Sequence, residues 1–286
     1  MSLDIAIIGG GAAGMICAHL LDASHRVTVF EKQAILGGNI RTLGGNVVCP
    51  KLPANLVLDA GVIEFCSESF PVFHRLLDHL GIVTHPVLAT TGCLRADGRH
   101  DRARAKLAQA RLSSCQRLAG HLRLLFLTPE WLRFRRRAAA ADPASLYAHS
   151  LSDFLESGPM GQWLRLLMVY AYSIPRAKID NMPAALTLPT LLQFTGKPKW
   201  TSLPQGVYSY IEAITQRMRG RIFTEAEVSV RRQQSRVVVA RKGASPEVFD
   251  RVIVAATPGQ VLNILADPTP EEQRRFTPWQ DNRATA

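Results

Sequence analysis

Leu3 to Ile8 reads Leu-Asp-Ile-Ala-Ile-Ile, an almost continuous apolar run rich in β-branched residues. A strand buried on both faces of a parallel sheet requires such a run. It ends at Gly9-Gly10-Gly11, after which Ala12 to Leu21 offers small and apolar side chains suited to a helix. Arg26 to Phe30 is a second strand, closing at Glu31. Strand, glycine turn, helix and strand in about 30 residues make a βαβ opening. Further on, Phe73, Leu76, Leu77 and Leu80 recur at helical spacing, so Phe70 to Leu80 is predicted as a helix with Gly81 as its C-cap. The pattern also predicts helices over most of Arg95 to Arg137, over Pro143 to Ser157 and over Gln162 to Tyr172. Pro183, Pro189, Pro198 and Pro204 then punctuate what reads as a loop-rich passage. From Gly206 the character changes. Val207 to Arg219 is helical, Arg221 to Phe223 short and extended, Val228 to Val239 alternates as strands do, and Phe249 to Ala256 reads as one strand. Nucleotide-domain character thus appears at both ends of the chain, with a helical stretch between, which implies two domains built from interleaved segments.

The composition agrees with a folded protein. Of 286 residues 47% are hydrophobic and 20% charged, which excludes whole-chain disorder and supplies a real core. No apolar run reaches the roughly 18–20 residues that span a bilayer; the best candidate, Trp163 to Ile174, is short and contains Arg165. Met1-Ser2-Leu3-Asp4 leads straight into the strand-like run, with no basic stretch, and no signal peptide is expected. The five cysteines are odd in number and widely spaced, which argues against a disulfide scaffold or structural zinc and points to a reducing cytoplasm. The eight histidines are scattered, and no metal site is expected.

The net charge of +11 is mostly local. Residues 95–137 hold eleven arginines and one lysine against three acids, interleaved with Leu118, Leu122, Leu124, Leu125, Phe126, Leu127, Trp131, Leu132 and Phe134. Cationic residues among Leu, Trp and Phe are the signature of an interfacial helix, so one reading is peripheral docking on an anionic membrane. The other is a solvated face of a domain whose apolar side is core. Nothing resembles a nucleic-acid-binding motif, and no nucleic-acid partner is expected.

Gly9-Gly10-Gly11-Ala12-Ala13-Gly14 fits G-x-G-x-x-G, in the context that gives the pattern meaning. It follows a strand, opens a helix, and has an acid, Glu31, 20 residues beyond Gly11 at the end of the next strand. Gly9 permits the tight turn, Gly11 lets the backbone approach a pyrophosphate, and Gly14 lets helix and strand pack closely. The helix start offers N–H groups and partial positive charge to the phosphates. Glu31 would accept from ribose hydroxyls and repel a 2′-phosphate. The turn by itself leaves FAD and NAD both open.

Glu31-Lys32-Gln33-Ala34-Ile35-Leu36-Gly37-Gly38-Asn39 resembles the extended FAD signature E-x5-G-G-R/H of the flavin-containing amine oxidase and phytoene desaturase superfamily. Asp59-Ala60-Gly61 matches the family's D-x-G element, Trp200 to Gly206 resembles its tryptophan-then-glycine turn, and Val252 to Pro258 resembles its V-I-V-A-T-P strand. The likeness is greatest to bacterial FAD-binding oxidoreductases related to amine oxidases, where Phe70-Pro71, Ser173-Ile174-Pro175 and Ala266 to Glu272 have counterparts. The resemblance covers essentially the whole chain. It implies an α/β fold with a Rossmann-like FAD-binding domain (1–65 and 200–265) and an interleaved, largely helical α+β substrate domain (66–199 and 266–286). It further implies cofactor contacts from Gly9, Gly11, Ala13, Gly14, Glu31, Lys32, Gly37, Gly38, Asn39, Arg41, Val228 and Ala255. Val228 would meet the adenine through its backbone.

Three departures accompany the likeness. Ile35 stands where many members have arginine, and Asn39 where arginine or histidine is usual, so Arg41 is expected to supply the missing charge. Members also continue beyond the V-A-T-P strand to a segment that closes on the flavin. The chain is accordingly expected to be a C-terminally shortened version, with a complementary polypeptide as a possible partner. The implied activity is FAD-dependent oxidation of a C–N or C–C bond in a small or lipophilic molecule. The alternative is a nucleotide-binding remnant or half of a split protein. No catalytic acid or base is identified. Lys199 and Tyr172 are the polar candidates for a pocket, against a surface lysine and a packed aromatic. Cys49 and Cys66 read as inert.

Overall fold

The computed structural model describes residues 2–87, 92–94, 100–102, 114–194 and 199–280, with the backbone alone for 92–94, 100–102 and 114–126. Along the chain run β1 (Asp4–Ile8), α1 (Ala12–Asp22), β2 (Arg26–Phe30), β3 (Thr42–Leu43), β4 (Leu58–Asp59), β5 (Phe65–Cys66), α2 (Pro71–Leu80) and β6 (His85–Val87). The hairpin β7 (Gly92–Leu94) and β8 (His100–Arg102) precedes four helices: α3 (Ser114–Ala140), α4 (Pro159–Tyr172), α5 (Arg176–Ile179) and α6 (Ala184–Phe194). Then come β9 (Trp200–Ser202), α7 (Ser209–Arg217), β10 (Arg221–Phe223), β11 (Val228–Gln233), β12 (Arg236–Arg241), β13 (Glu247–Phe249), β14 (Arg251–Val254), α8 (Val261–Ile264) and α9 (Pro270–Gln280). Two compact units result: Met1–Val87 with Thr201–Ala286, and Leu88–Trp200.

The first unit is organised by a parallel sheet of order β10-β2-β1-β14. Alternation along β1 and β2 sends Ile5, Ile7, Val27 and Val29 to one face, where Met15 and Ala18 of α1 and Ile211 and Ile214 of α7 cover them. Ala6, Ile8 and Phe30 face the other way, against Val228, Val230, Val239 and Phe249 of the antiparallel meander β11-β12-β13. Both faces are covered, as a parallel sheet demands. This is the expected α/β, Rossmann-like architecture.

Three expectations about elements change. The single strand over Phe249 to Ala256 is two: β13 ends the meander at Phe249, and β14 joins the parallel sheet beside β1. Asp250 makes the switch, its N–H donating to the Asp4 carbonyl and its carboxylate accepting the Asp4 N–H. The helix over Pro143 to Ser157 is absent; only a single 3-10 turn forms, at Leu151–Asp153. Ser150 and Asp153 form a reciprocal capping box there, and such local side-chain bonds compete with helix. Conversely, the proline-marked passage contains α6, with Pro189 inside it. Ala184, Leu188 and Leu191 of α6 are buried at helical spacing, and that burial offsets a proline cost of about 3 kcal/mol.

The units also divide the chain elsewhere than at residues 65/66 and 265/266. Residues 66–87 stay with the first unit because Leu77 and Leu80 of α2 are buried in its core. Residues 266–286 stay there too, Ala266 donating to the Val230 carbonyl.

The second unit is held by Phe134, Leu151, Phe154, Leu164, Leu167, Met168, Ile179, Leu188 and Leu191. Arg165, 6% exposed, is neutralised inside it by Asp180 at 2.5 Å and bonds the Glu156 carbonyl at 2.7 Å. Of the basic segment, the side chains of 95–126 lie outside the described residues. Further along, Phe134 is core and Trp131 packs on it, while Arg133 and Arg137 share Glu156. Among the described residues no helix is long and apolar enough to cross a membrane.

Candidate functional site

The turn after β1 is built on backbone-to-backbone approach. Gly9 has φ +113°, and a Cβ there would lie 2.5 Å from the Ala255 carbonyl oxygen. At Gly14 a Cβ would fall 1.8 Å from the Gly9 carbonyl oxygen and 3.3 Å from Ala255 Cβ. Helix, turn and the end of β14 are thus in direct contact, and only glycine fits at either position. Gly11 is different. It is the N-cap of α1 in an extended conformation, and the nearest atom to a Cβ there is Gly38 Cα at 3.6 Å. Nothing in the described chain requires glycine at Gly11. No side chain caps α1 and no acid lies in its first turn, so its first N–H groups and the positive end of the helix dipole face no side-chain anion of their own turn. A diphosphate approaching the backbone fits both observations.

The second glycine pair closes on the first. Gly37 donates to the Gly10 carbonyl at 2.8 Å, and Gly11 and Gly37 form an isolated parallel bridge. Gly37 and Gly38 both have positive φ, at +108° and +59°. Glu31, 8% exposed, fixes the arrangement from the end of β2. Its carboxylate accepts the Gly10 N–H at 2.6 Å and the Gln33 N–H at 2.7 Å. An ionised carboxylate has about four acceptor positions, so two remain for a ligand hydroxyl.

Residues that local reasoning passed over support this cradle. Asn46 donates through Nδ2 to the Leu36 and Ile40 carbonyls and accepts the Thr42 N–H, lacing the Gly37-Gly38 loop shut. The only sequence cue is its place after Gly44-Gly45, where a turn residue belongs. Asp59 accepts the Val207 N–H with both carboxylate oxygens, at 3.0 and 3.1 Å. Thr42 Oγ1 donates to Asp59 and accepts the Tyr208 N–H. Gly206 has φ +80°, and a Cβ there would strike Thr42 Cγ2 at 2.4 Å. The D-x-G element and the turn ending at Gly206 are therefore partners of each other, and the Tyr208 ring lies beside Gly37. Burial raises the Tyr208 hydroxyl, with Glu212 adding to the shift, and burial also raises the Glu64 carboxyl.

Val228 opens the meander. Gln233 and Arg236 close a two-residue hairpin, and in that register Val228, Val230 and Arg232 direct their N–H and C=O groups away from β12. Val230 uses its carbonyl on Ala266, and Arg232 its N–H on Asp267. Val228 has no such partner among the described residues, which leaves one main-chain donor and one acceptor at an open edge.

The remaining expected residues are less closely joined. Ala13 is exposed on the first turn of α1, and Asn39 is exposed in the loop. Lys32 pairs with Glu227 at 3.8 Å. The Arg41 guanidinium turns back to the Ile40 carbonyl at 3.1 Å. Tyr172 ties α4 to α6, donating to the Leu186 carbonyl at 2.7 Å and meeting Thr190 Oγ1 at 2.8 Å, so it is a packed aromatic. Lys199 is exposed. Cys66 is buried, its thiol donating to the Glu68 carboxylate at 2.9 Å, and Cys49 is half-buried; neither forms a disulfide. Among the described residues no cluster of three or more histidines, cysteines or acids could hold a metal.

No curated protein sequence matches the chain. Solved structures resemble it closely in fold. A putrescine oxidase bound to putrescine superposes with a TM-score of 0.61 at 17% identity, over 96% of this chain and 63% of that one. A cyclohexylamine oxidase from Brevibacterium oxydans IH-35A gives 0.63 at 17% identity, with the same coverages. A CLA-producing fatty acid isomerase from P. acnes gives 0.62 at 15% identity, again over 96% and 63%. The chain spans less than two thirds of the length of these proteins. The family of flavin containing amine oxidoreductases matches residues 12–283. With the glycine cradle in place and nearly its whole length matched, the chain belongs to the flavin-containing amine oxidoreductase family.

Proposed function

We propose that the protein binds FAD and serves as an oxidoreductase that oxidises a C–N or C–C bond of a small or lipophilic molecule to the double bond, a hydride passing from carbon to the flavin and a proton leaving from the neighbouring atom. The observation that carries this reading is the cradle: an uncapped helix N-terminus behind Gly11, where a Cβ would meet the chain only in ordinary van der Waals contact with Gly38. In this reading the N–H groups at the start of α1 hold the diphosphate. The free lone pairs of Glu31 receive the adenosine ribose, and the open edge of Val228 receives the adenine. Gly37 and Gly38 bring the loop backbone alongside, with Lys32, Asn39, Arg41, Ala13 and Ala255 at its margins. FAD, when bound, supplies the hydride-accepting ring. The chain's own contribution is orientation and exclusion of a 2′-phosphate by the Glu31 charge. Purification in the presence of FAD, followed by a visible spectrum, tests the reading. A flavin spectrum that survives gel filtration is expected, and a colourless protein would end it.

A second reading also starts from the nucleotide cradle, without the oxidation chemistry. It is a nucleotide-binding protein without turnover, or one that works with a complementary polypeptide. It predicts flavin binding with no turnover of amines by the isolated chain, and steady turnover would exclude it. Docking of residues 95–137 on an anionic membrane is a separate proposal. It predicts co-sedimentation with anionic liposomes that salt reverses, and no binding at low salt would dismiss it.

A further inference from the structure

One arginine of the first unit stands apart from the others. Arg241 ends β12 directly opposite Val228, with both side chains on the face that meets the parallel sheet. Its guanidinium carbon lies 4.2 Å from the centroid of the Phe223 ring. Its Nε is buried and has no hydrogen-bond partner, and no carboxylate among the described residues pairs with it. The neighbouring cations are satisfied. Arg221, on the same ring at 5.5 Å, holds Glu247 at 2.6 Å and Thr28 at 3.1 Å. Arg232 is held by Asp267 and Glu272, and Arg236 by Asp250. A guanidinium is always charged, and leaving it half-buried without acceptors is unfavourable. Stacking on an aromatic face compensates only in part.

The place of this spare cation narrows its ligand. The Phe223 carbonyl accepts the Glu31 N–H, and the Glu31 carbonyl accepts the Ala226 N–H, so the ring under Arg241 belongs to the same end of the sheet as Glu31 and Val228. Adenine offers ring nitrogens that accept and a π face that a flat guanidinium can cover. We infer that Arg241, laid on Phe223, is an adenine-binding residue of the nucleotide site. There it complements the main-chain edge of Val228 and supplies donors that the chain itself leaves unused. The inference rests on the nucleotide-binding reading above and adds a residue to it.

The test uses the full chain and compares the wild type, Arg241→Met and, as a control for net charge, the exposed Arg231→Met. Affinities for FAD and for ADP are measured by titration, with the melting temperature of the ligand-free protein alongside. Arg241→Met is expected to weaken both ligands about tenfold, without lowering the ligand-free melting temperature, because Met keeps the Phe223 contact and removes an unpaired charge. Arg231→Met is expected to bind as the wild type does. Unchanged affinity in Arg241→Met would overturn the inference while leaving the nucleotide reading intact. So would equal weakening by Arg231→Met, or a lower melting temperature with unchanged affinity, which marks a structural clamp. A wild type that binds neither FAD nor ADP would bring down both.

Discussion

The two compact units are specified in different ways. The first is organised around main chain meeting main chain: Gly14 against Gly9, Gly9 against Ala255, and Gly61 against the Asn39 carbonyl. The second is organised by side chains, with a core of leucines, phenylalanines and Met168, and one arginine neutralised within it. Backbone contacts of that closeness tolerate no added atom, whereas a packed side-chain core adjusts in part. The second unit has one such approach, at Gly161, where a Cβ would fall 1.9 Å from the Glu156 carbonyl oxygen, but there the Glu130 carboxylate already accepts the Met160 and Gly161 N–H groups.

Substitutions can break this comparison in order of expected effect. Gly14→Ala should be the most damaging, destabilising the first unit by at least about 3 kcal/mol because its Cβ has no space to occupy. Its melting curve should show the loss, and a near-wild-type curve would contradict the close approach. Leu191→Ala, in the fully buried centre of the second unit, should cost about 2–5 kcal/mol and leave FAD affinity untouched. A matching loss of affinity would show that the units are not independent in function.

A smaller effect is tied to pH. Burial tends to raise the Asp180 carboxyl, but Arg165 and Arg176 outweigh it and hold the group below its ordinary value of 3.8. A lowered folded value gives stability that is complete above about pH 3.8 and is lost as pH falls through the folded value. Asp180→Asn should therefore melt below the wild type at neutral pH, with the gap closing in acid beneath 3.8. A gap independent of pH would remove the ion pair from the account. The smallest change in stability, within about 0.5 kcal/mol, is expected for Gly11→Ala. That substitution sharpens the comparison most, because the same variant should lose FAD affinity by about tenfold or more. Wild-type affinity in a folded Gly11→Ala protein would mean that no ligand approaches there.

The parts of the fold legible in the sequence are the local ones. The βαβ opening, the helix ending at Gly81 and the strand alternation from Val228 depend on periodicity and on residues near each other in the chain. The supports of the cradle are not local. Asp59 meets Val207 across 148 residues, and Thr42 meets Tyr208 across 166. Each was recognisable only as half of a pair. Asn46 carried no cue beyond its place after Gly44-Gly45, because its three bonds go to main-chain groups that any residue possesses. The missed helix α6 and the helix wrongly expected over Pro143 to Ser157 share one cause. Proline sets a local preference, and burial of Leu188 and Leu191 in one place, and the Ser150–Asp153 box in the other, decided the outcome.

The sequence by itself determined that a strand, a glycine turn and a helix open the chain, that an acid waits at the end of the next strand, and that the family is the one its motifs resemble. Those features are encoded within short windows, where spacing alone dictates which groups converge. Only the tertiary structure decided that Gly9 and Gly14 are needed by the protein's own packing while Gly11 is not. It also decided that Glu31 pins Gly10, and that Arg241 reaches Phe223 with no partner of its own. Each of these depends on which distant backbone or ring occupies the space in front of a residue, and packing alone settles that.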